Sequence, residues 1–320
     1  MARVSEKAVR SLSLNDLGLG ALAPTASNAP PPSPDASTLL APDNRVLRLT
    51  RRAIELGFAG VILSGPPGTG KSWYAQQIAV ELTGDWQAVR STQFHPSYQY
   101  EDFVYGYRPN DEGVFESTAK VFAEICDDAR LQPDRQFVLV IDEFSRSDVI
   151  RVFGEALTYI ERDKRGTEFR TASGETMVVP ANLTLICTMN PWDRGVDDLD
   201  MALERRFAQI DLGPDVAVLQ NVLQKAGADP VFAAALATFF VQLNEERNER
   251  LRLGHAYFLK CIDRQAARDV WALRILPTIR RAAGLDTASV ARIRAAWEVV
   301  VADPQPTAAP AADDAAAEEA

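Results

Sequence analysis

The chain has 320 residues, 47% hydrophobic and 24% charged, a globular composition with ample material for a core. Its 34 basic and 44 acidic side chains leave a net charge of −10. That argues against a protein that coats nucleic acid through overall positive charge, though not against a basic stripe inside a ring or pore.

Residues 1–43 read as a tail. Residues 21–42 are rich in Ala, Pro and Ser, with Pro24, Pro30, Pro31, Pro32 and Pro34, and cannot bury enough apolar surface to offset their ordering entropy. A short docking helix over 11–19 is the alternative to disorder there. Arg3, Lys7 and Arg10 have no apolar stretch behind them, so no signal peptide is expected. No run of about 18 apolar residues occurs, so no membrane span is expected either.

A helix is predicted over 44–56, with Val46, Leu47, Leu49, Ala53, Ile54 and Leu56 on one face and Gly57 closing it. Residues 59–64 (AGVILS) make a short continuous apolar run, as in a strand covered on both faces. A helix over 70–82, a weaker strand over 86–91, a strongly apolar strand over 137–141 and a helix over 149–161 follow. Strands over 183–188 and 207–212 complete the series. Strands alternating with helices predict a parallel five-stranded α/β sheet covered by helices, spanning 44–213. After Pro214 the pattern turns all-helical (215–226, 230–250, 265–283, 287–301), which predicts a smaller helical lid domain over 214–302. Residues 303–320 carry five acids and no base, a second, solubilising tail. Cys126, Cys187 and Cys261 lie far apart in no metal-ligand spacing, and only two histidines accompany them. Little remains for a zinc site; buried thiols in a reducing, cytoplasmic setting are expected.

Gly65-Pro66-Pro67-Gly68-Thr69-Gly70-Lys71-Ser72 matches GxxxxGK[ST], between a predicted strand and a predicted helix. Glycines let the backbone wrap phosphate oxygens, successive N–H groups form an anion nest, and the helix N-terminus adds partial positive charge. Lys71 reaches the β- and γ-phosphates, and the Ser72 hydroxyl is a Mg²⁺ ligand. Downstream, the apolar run 138–141 ends in Asp142 and Glu143. Acids at the carboxyl end of a central strand sit where open α/β sheets bind ligands. Asp142 would hold Mg²⁺ through water, and Glu143 would polarise the attacking water as general base.

Asn190 falls at the tip of the strand predicted over 183–188, where an amide can orient water or contact the γ-phosphate. The spacing of Asn190 and Asp193 superficially resembles a guanine-reading motif, but its lysine is replaced by Pro191. Asp193 is either a second polar element for the γ-phosphate or the cap of the next turn. Arg205 and Arg206 follow a predicted helix over 198–204. They are either a solvated charge pair or an arginine finger completing a neighbour's site, which demands a head-to-tail oligomer.

In this order the motifs resemble AAA+ ATPases of the MoxR/McrB, dynein-related branch, and within it the McrB-type restriction motor subunits. The resemblance is carried by 93–103 with 106–109 (QFHPSYQYEDF, GYRP), 141–146 (IDEFSR), 152–155 (VFGE), 188–190 (TMN), 205–207 (RRF) and 253–258 (LGHAYF). It covers about residues 45–285. The family implies a nucleotide-driven hexameric ring, a sensor at Asn190 and a trans-acting finger at Arg205 or Arg206. It also implies hairpin insertions over 104–117 and 163–180. Both of these read independently as turns between short strand-like runs. The family's MNTAD appears here as Met189-Asn190-Pro191-Trp192-Asp193, which leaves partner control of hydrolysis open. Only about 44 low-complexity residues precede the core, where such motors often carry a DNA-reading domain. DNA contact is therefore expected only indirectly, through a separate nuclease or specificity chain.

The bland alternatives are that His95, Tyr98 and Tyr100 pack the following helix, and that His255 is a core histidine rather than a nucleotide contact. For the whole chain, the expectation is a Mg²⁺-dependent triphosphatase working as a homo-oligomeric motor, with ATP favoured over GTP. A MoxR-like chaperone for a partner protein, or a nucleotide-gated scaffold without catalysis, stands against it.

Overall fold

The computed structural model describes residues 40–110, 113–192 and 200–302. The docking helix expected over 11–19, the tail over 303–320 and Asp193 lie outside the described residues.

Asn44 caps the first helix, α1 (Arg45–Glu55), by accepting from the N–H groups of Val46 and Leu47, and the helix buries Val46, Leu47 and Ala53. Strand β1 (Gly60–Ser64) is buried along its length and runs through the Gly-rich loop into α2 (Lys71–Thr83). The weaker strand begins three residues later than its apolar run. Asp85 accepts from Gln87 N–H and winds Trp86–Ala88 into a 3-10 turn before β2 (Val89–Gln93). The short α3 (Tyr100–Phe103) leads into an antiparallel hairpin, β3 (Tyr105–Pro109) with β4 (Phe115–Ala119), where the first insertion is expected. Helix α4 (Val121–Leu131) and strand β5 (Phe137–Asp142) follow.

The helix predicted over 149–161 is two pieces, α5 (Val149–Phe153) and α6 (Ala156–Tyr159). Gly154 breaks it at φ 53, and the ring of Tyr100 would lie 3.0 Å from a Cβ there. A second hairpin, β6 (Glu168–Arg170) with β7 (Thr176–Val178), stands within the second expected insertion. Strand β8 (Leu183–Met189), the single-turn α7 (Met201–Glu204) and strand β9 (Phe207–Asp211) complete this part.

Among the described residues the main sheet has five strands, all parallel, in the order β2-β5-β8-β1-β9. Alternate side chains feed two cores. Val61, Leu63, Val138, Val140 and Ile186 pack against α1 and α2. Ile62, Leu139, Ile141, Leu185 and Cys187 pack against the aromatic cluster of Phe94, Phe103, Phe122, Phe144 and Phe153. Double-sided burial is why these strands read as unbroken apolar runs.

The helical part has its own core, with Trp271 stacked on Trp297 at 4.6 Å and Phe239 edge-on to both. Its helices are α8 (Val216–Lys225), α9 (Pro230–Asn244), α10 (Arg264–Val270), α11 (Leu276–Ala283) and α12 (Thr287–Val301). Helix α9 stops short of the predicted residue 250. The Asn244 side chain bonds Phe240 O and both backbone groups of Leu253, and so turns the chain back. The run predicted over 265–283 widens into a π-turn at Trp271–Ile275. Pro277 supplies no N–H to the carbonyl four residues back, which favours this local unwinding. All three cysteines are buried free thiols, and burial pushes Cys261 up to about 12. No helix among the described residues is long and apolar enough to cross a membrane.

Candidate active site

The Gly-rich loop leaves β1 at its carboxyl end, with Gly68 and Gly70 at φ 81 and 86, a left-handed region that costs other residues. Thr69 Oγ1 staples the loop by donating to Pro66 O at 3.1 Å. Lys71 Nζ is folded onto the same loop, donating to Gly65 O at 2.9 Å and Pro66 O at 2.8 Å. These neutral carbonyls hold the ammonium group where an arriving phosphate can capture it through a stronger, charge-assisted bond.

Ser72, in the first turn of α2, donates to both carboxylate oxygens of Asp142 at 2.9 and 3.0 Å. Asp142 ends β5, and Glu143 follows at φ 54, the one non-glycine residue with positive φ among those described. Such backbone strain tends to be kept where function needs the turn. Glu143 Oε2 accepts from Arg146 Nε at 3.2 Å. Thr188 ties the acids to β8: its hydroxyl donates to Asp142, and it accepts from Glu143 N–H at 3.3 Å. Asn190, buried just past the end of β8, accepts from Trp192 N–H at 3.3 Å.

Lys71, Ser72, Asp142, Glu143, Thr188 and Asn190 line one cleft of about 420 Å³, closed on one side by Ala256 of the helical part. The structure thus brings together the residues singled out for phosphate, metal, water and sensing. Thr188 and Arg146 were missed as site members. Arg146 could have been found, since a turn after the strand carries a residue three places on back to Glu143. Thr188 gives no signal beyond its place near the end of an apolar run.

The donor set suits a Mg²⁺-bound triphosphate. Ser72 and Asp142 offer hard oxygen ligands, and no group of three or more His, Cys, Asp or Glu among the described residues could hold a metal. Mg²⁺ commonly takes one or two carboxylates and leaves other positions to water and phosphate.

The segment 253–257 lies directly on the Gly-rich loop. Gly254 N–H donates to Pro67 O at 2.8 Å and Ala256 N–H to Gly68 O at 3.0 Å. The Tyr257 ring covers Gly68, and the Arg274 guanidinium stacks on that ring, 4.4 Å from its centroid. His255 is buried, its Nδ1 has no partner, and burial pushes its pKa below the usual imidazole value against the opposing pull of Asp215. Its Nε2 lies 3.9 Å from where a Cβ on Gly70 would be, so it is a buried residue that also borders the loop. A second cavity of about 340 Å³ adjoins the cleft between Arg146, Asn190 and Trp192 on one side and Arg250, Tyr257 and Arg281 on the other.

Tyr98 packs the helix that follows, its ring against Phe103 and its hydroxyl donating to Asp102 O at 3.3 Å, while Tyr100 begins that helix. Tyr98 lies on Phe94 with its hydroxyl on Thr92, and Tyr100 donates to Glu155 at 2.8 Å. Exposed His95 sets its edge on Tyr98.

Arg205 and Arg206 are not in the cleft. They precede β9, whose Phe207 pairs with Gly60 at the start of β1, whereas the Gly-rich loop leaves the far end of β1. At about 3.3 Å per residue, five residues of strand separate the arginines from that loop by roughly 16 Å. The Arg206 side chain is 5% exposed and the Arg205 side chain 66%, and both pair with Glu161.

Residues 60–207 match the family model of the AAA domain, dynein-related subfamily. The chain is 38% identical over 215 residues to the type IV methyl-directed restriction enzyme EcoKMcrB subunit of Escherichia coli K12, covering 62% of this chain and 47% of that protein. It is 27% identical over 188 residues to the type II restriction enzyme BsuMI component YdiS of Bacillus subtilis 168, covering 46% of this chain and 55% of that one. The chain spans about half the length of these two relatives. With a Gly-rich loop on β1, an acidic pair on β5 and a polar tip on β8, residues 60–207 have the features of the AAA domain, dynein-related subfamily, whose model they match, in a chain similar to restriction-enzyme subunits of the McrB type.

Proposed function

We propose that this chain is a Mg²⁺-dependent nucleoside triphosphatase, with ATP favoured over GTP. It works as a hexameric ring motor only in company with copies of itself, as the McrB-like subunit of a restriction or defence complex. The observation that carries this is the single cleft shared by Lys71, Ser72, Asp142 and Glu143. In the proposed roles, the Gly-rich loop from Gly65 to Gly70 and Lys71 bind the phosphates. Ser72 and Asp142 hold Mg²⁺, which when bound offsets the charge of the phosphate oxygens. Glu143 takes a proton from the attacking water, and Asn190 orients that water or senses the γ-phosphate.

The Arg146 guanidinium, bonded to Glu143 Oε2 at 3.2 Å, fixes where the carboxylate stands in the cleft. Completion falls to Arg205 of a neighbouring copy, because Arg205 stands at the other end of the parallel strands from its own phosphate loop. Arg206 is buried in its own subunit and serves to hold that corner together. DNA is reached through a partner chain, a nuclease or specificity subunit. The relatives' names, both restriction-enzyme components, favour this setting over a chaperone.

The test is steady-state ATP and GTP hydrolysis across protein concentration, with Arg205→Ala and Arg206→Ala alongside. Specific activity rises more than linearly with concentration, and Arg205→Ala lowers turnover by about a thousand-fold. Constant specific activity together with undiminished turnover in Arg205→Ala refutes the shared site.

A further inference from the structure

Glu161 follows α6 at the amino end of the main sheet, just before the hairpin β6–β7. Its carboxylate faces three cations. Oε1 pairs with Arg206 Nη2 at 2.6 Å and with Arg205 Nη2 at 3.2 Å, and Oε2 pairs with Lys164 Nζ at 3.0 Å. Glu161, Arg205 and Arg206 border a cavity of about 340 Å³ that also takes in Arg162 and Asp163.

The two arginines are held differently. Arg206 is buried and also donates to Ala202 O at 2.5 Å. Arg205 stands out into solvent, and Glu161 is the side-chain partner recorded for it among the described residues. Two guanidinium groups on consecutive residues repel each other, so Arg205 without this carboxylate would sample many rotamers at that exposed position.

The carboxylate itself is firmly mounted. Arg162 donates to Phe58 O at 3.2 Å and Ala181 O at 2.8 Å, and Arg165 to Ile160 O at 2.9 Å and Ala59 O at 3.0 Å. These bonds tie the segment after Glu161 to the chain entering β1 and β8.

We propose that Glu161 is the positioning residue for the trans-acting arginine: anchored through buried Arg206, it presents exposed Arg205 to the triphosphate bound by the next subunit. The proposal rests on the function proposed above. The sharing of one oxygen explains how the arginine is released. When Arg205 moves to a phosphate, Glu161 keeps Arg206 and Lys164, so neither a bare carboxylate nor an unpaired buried cation is left behind. An exposed ion pair costs little to exchange for another anion, while a prepositioned guanidinium spares the ordering cost at the reacting centre. The mount also makes the placement of Arg205 depend on the root of the β6–β7 hairpin.

The test compares kcat and KM for the full chain as wild type, Glu161→Gln, Glu161→Asp, Arg205→Ala and the Glu161→Gln/Arg205→Ala double variant, each with its melting temperature. Arg205→Ala lowers kcat by about a thousand-fold. Glu161→Gln, which keeps an acceptor for Arg206, lowers kcat by about ten-fold with KM within two-fold. It adds nothing on the Arg205→Ala background, and Glu161→Asp recovers part of the loss. A purely structural role is the outcome if Glu161→Gln lowers kcat equally in both backgrounds, and that overturns the proposal. It also falls if Arg205→Ala is damaging while Glu161→Gln and Glu161→Asp both turn over at the wild-type rate; the shared-site function then still stands. If Arg205→Ala itself leaves kcat unchanged, the trans-acting arginine fails first and the proposal fails with it. Should Glu161→Gln not fold, Glu161→Asp in the two backgrounds gives the same comparison.

Discussion

Gly254→Ala probes the contact between the helical part and the phosphate loop. A Cβ at that position would stand 2.1 Å from the carbonyl carbon and oxygen of Gly68 and 2.3 Å from Thr69 N, all backbone atoms. Real Cβ contacts essentially never fall under 3.0 Å, so the two segments must part by at least about 0.9 Å. No flexible side chain can absorb that shift. If the loop yields, its N–H groups move by nearly an ångström relative to the phosphates, a displacement that can cost about 100-fold in turnover. If the segment 253–257 yields, the bonds from Gly254 to Pro67 and from Ala256 to Gly68 lengthen together. At about 1 kcal/mol each, with about 1–3 kcal/mol of overpacking strain, the total is on the order of 3–5 kcal/mol. Binding of a fluorescent ATP analogue and a thermal melt of the same sample separate the cases. The first outcome weakens binding with little change in melting, and the second lowers the melting temperature by roughly 6–20 °C. Wild-type affinity and wild-type melting together would show that the contact contributes nothing to the site.

Glu143→Gln should retain nucleotide affinity within two-fold while single-turnover hydrolysis falls by about 10²–10⁴; equal losses of both would remove Glu143 from the chemistry. Arg206→Ala deletes a guanidinium whose side chain is 5% exposed, paired with a carboxylate that is 21% exposed. Breaking a fully buried pair costs about 3–5 kcal/mol, so about 2 kcal/mol is expected here, seen as a fall of roughly 4–8 °C in melting temperature, whereas Arg205→Ala melts like wild type. Burial holds His255 below 6.5, so the folded chain binds fewer protons near that pH than the unfolded chain. The stability from this residue is complete above pH 6.5 and declines as the pH falls through the folded value. Melting temperatures recorded from pH 8 to pH 5 should fall more steeply for wild type than for His255→Asn, and parallel curves would remove His255 from that dependence.

What was legible beforehand was written in short stretches of chain. The phosphate loop is eight consecutive residues between an apolar run and a helix. The acidic pair follows directly on an apolar run that only a doubly covered strand explains. What was not legible depends on partners distant in sequence. Nothing near Glu161 marks it as the counter-ion of arginines 44 and 45 positions on, and nothing near Gly254 says that its missing side chain makes room for Gly68. The break at Gly154 escaped for the same reason, since the apolar periodicity of 149–161 continues across it and the Tyr100 ring beside it comes from another segment.

The strand order shows how such distant partners meet. Apolar runs foretell parallel strands but not their neighbours, and the acidic pair on β5 is not next to the phosphate loop on β1. Strand β8 lies between them and pairs with both. That insertion puts Thr188 beside Asp142 and Glu143, and Asn190 over the same cleft as Lys71. At the tip of the middle strand Thr188 touches Asp142, and Asn190 shares the cleft with the Gly-rich loop and Lys71. Under the proposed function, this tip would register the γ-phosphate and the attacking water together. Any change that alters the β8 tip should then shift hydrolysis more than nucleotide binding, because the loop and Lys71 proposed to hold the phosphates belong to β1 and α2 and stay in place.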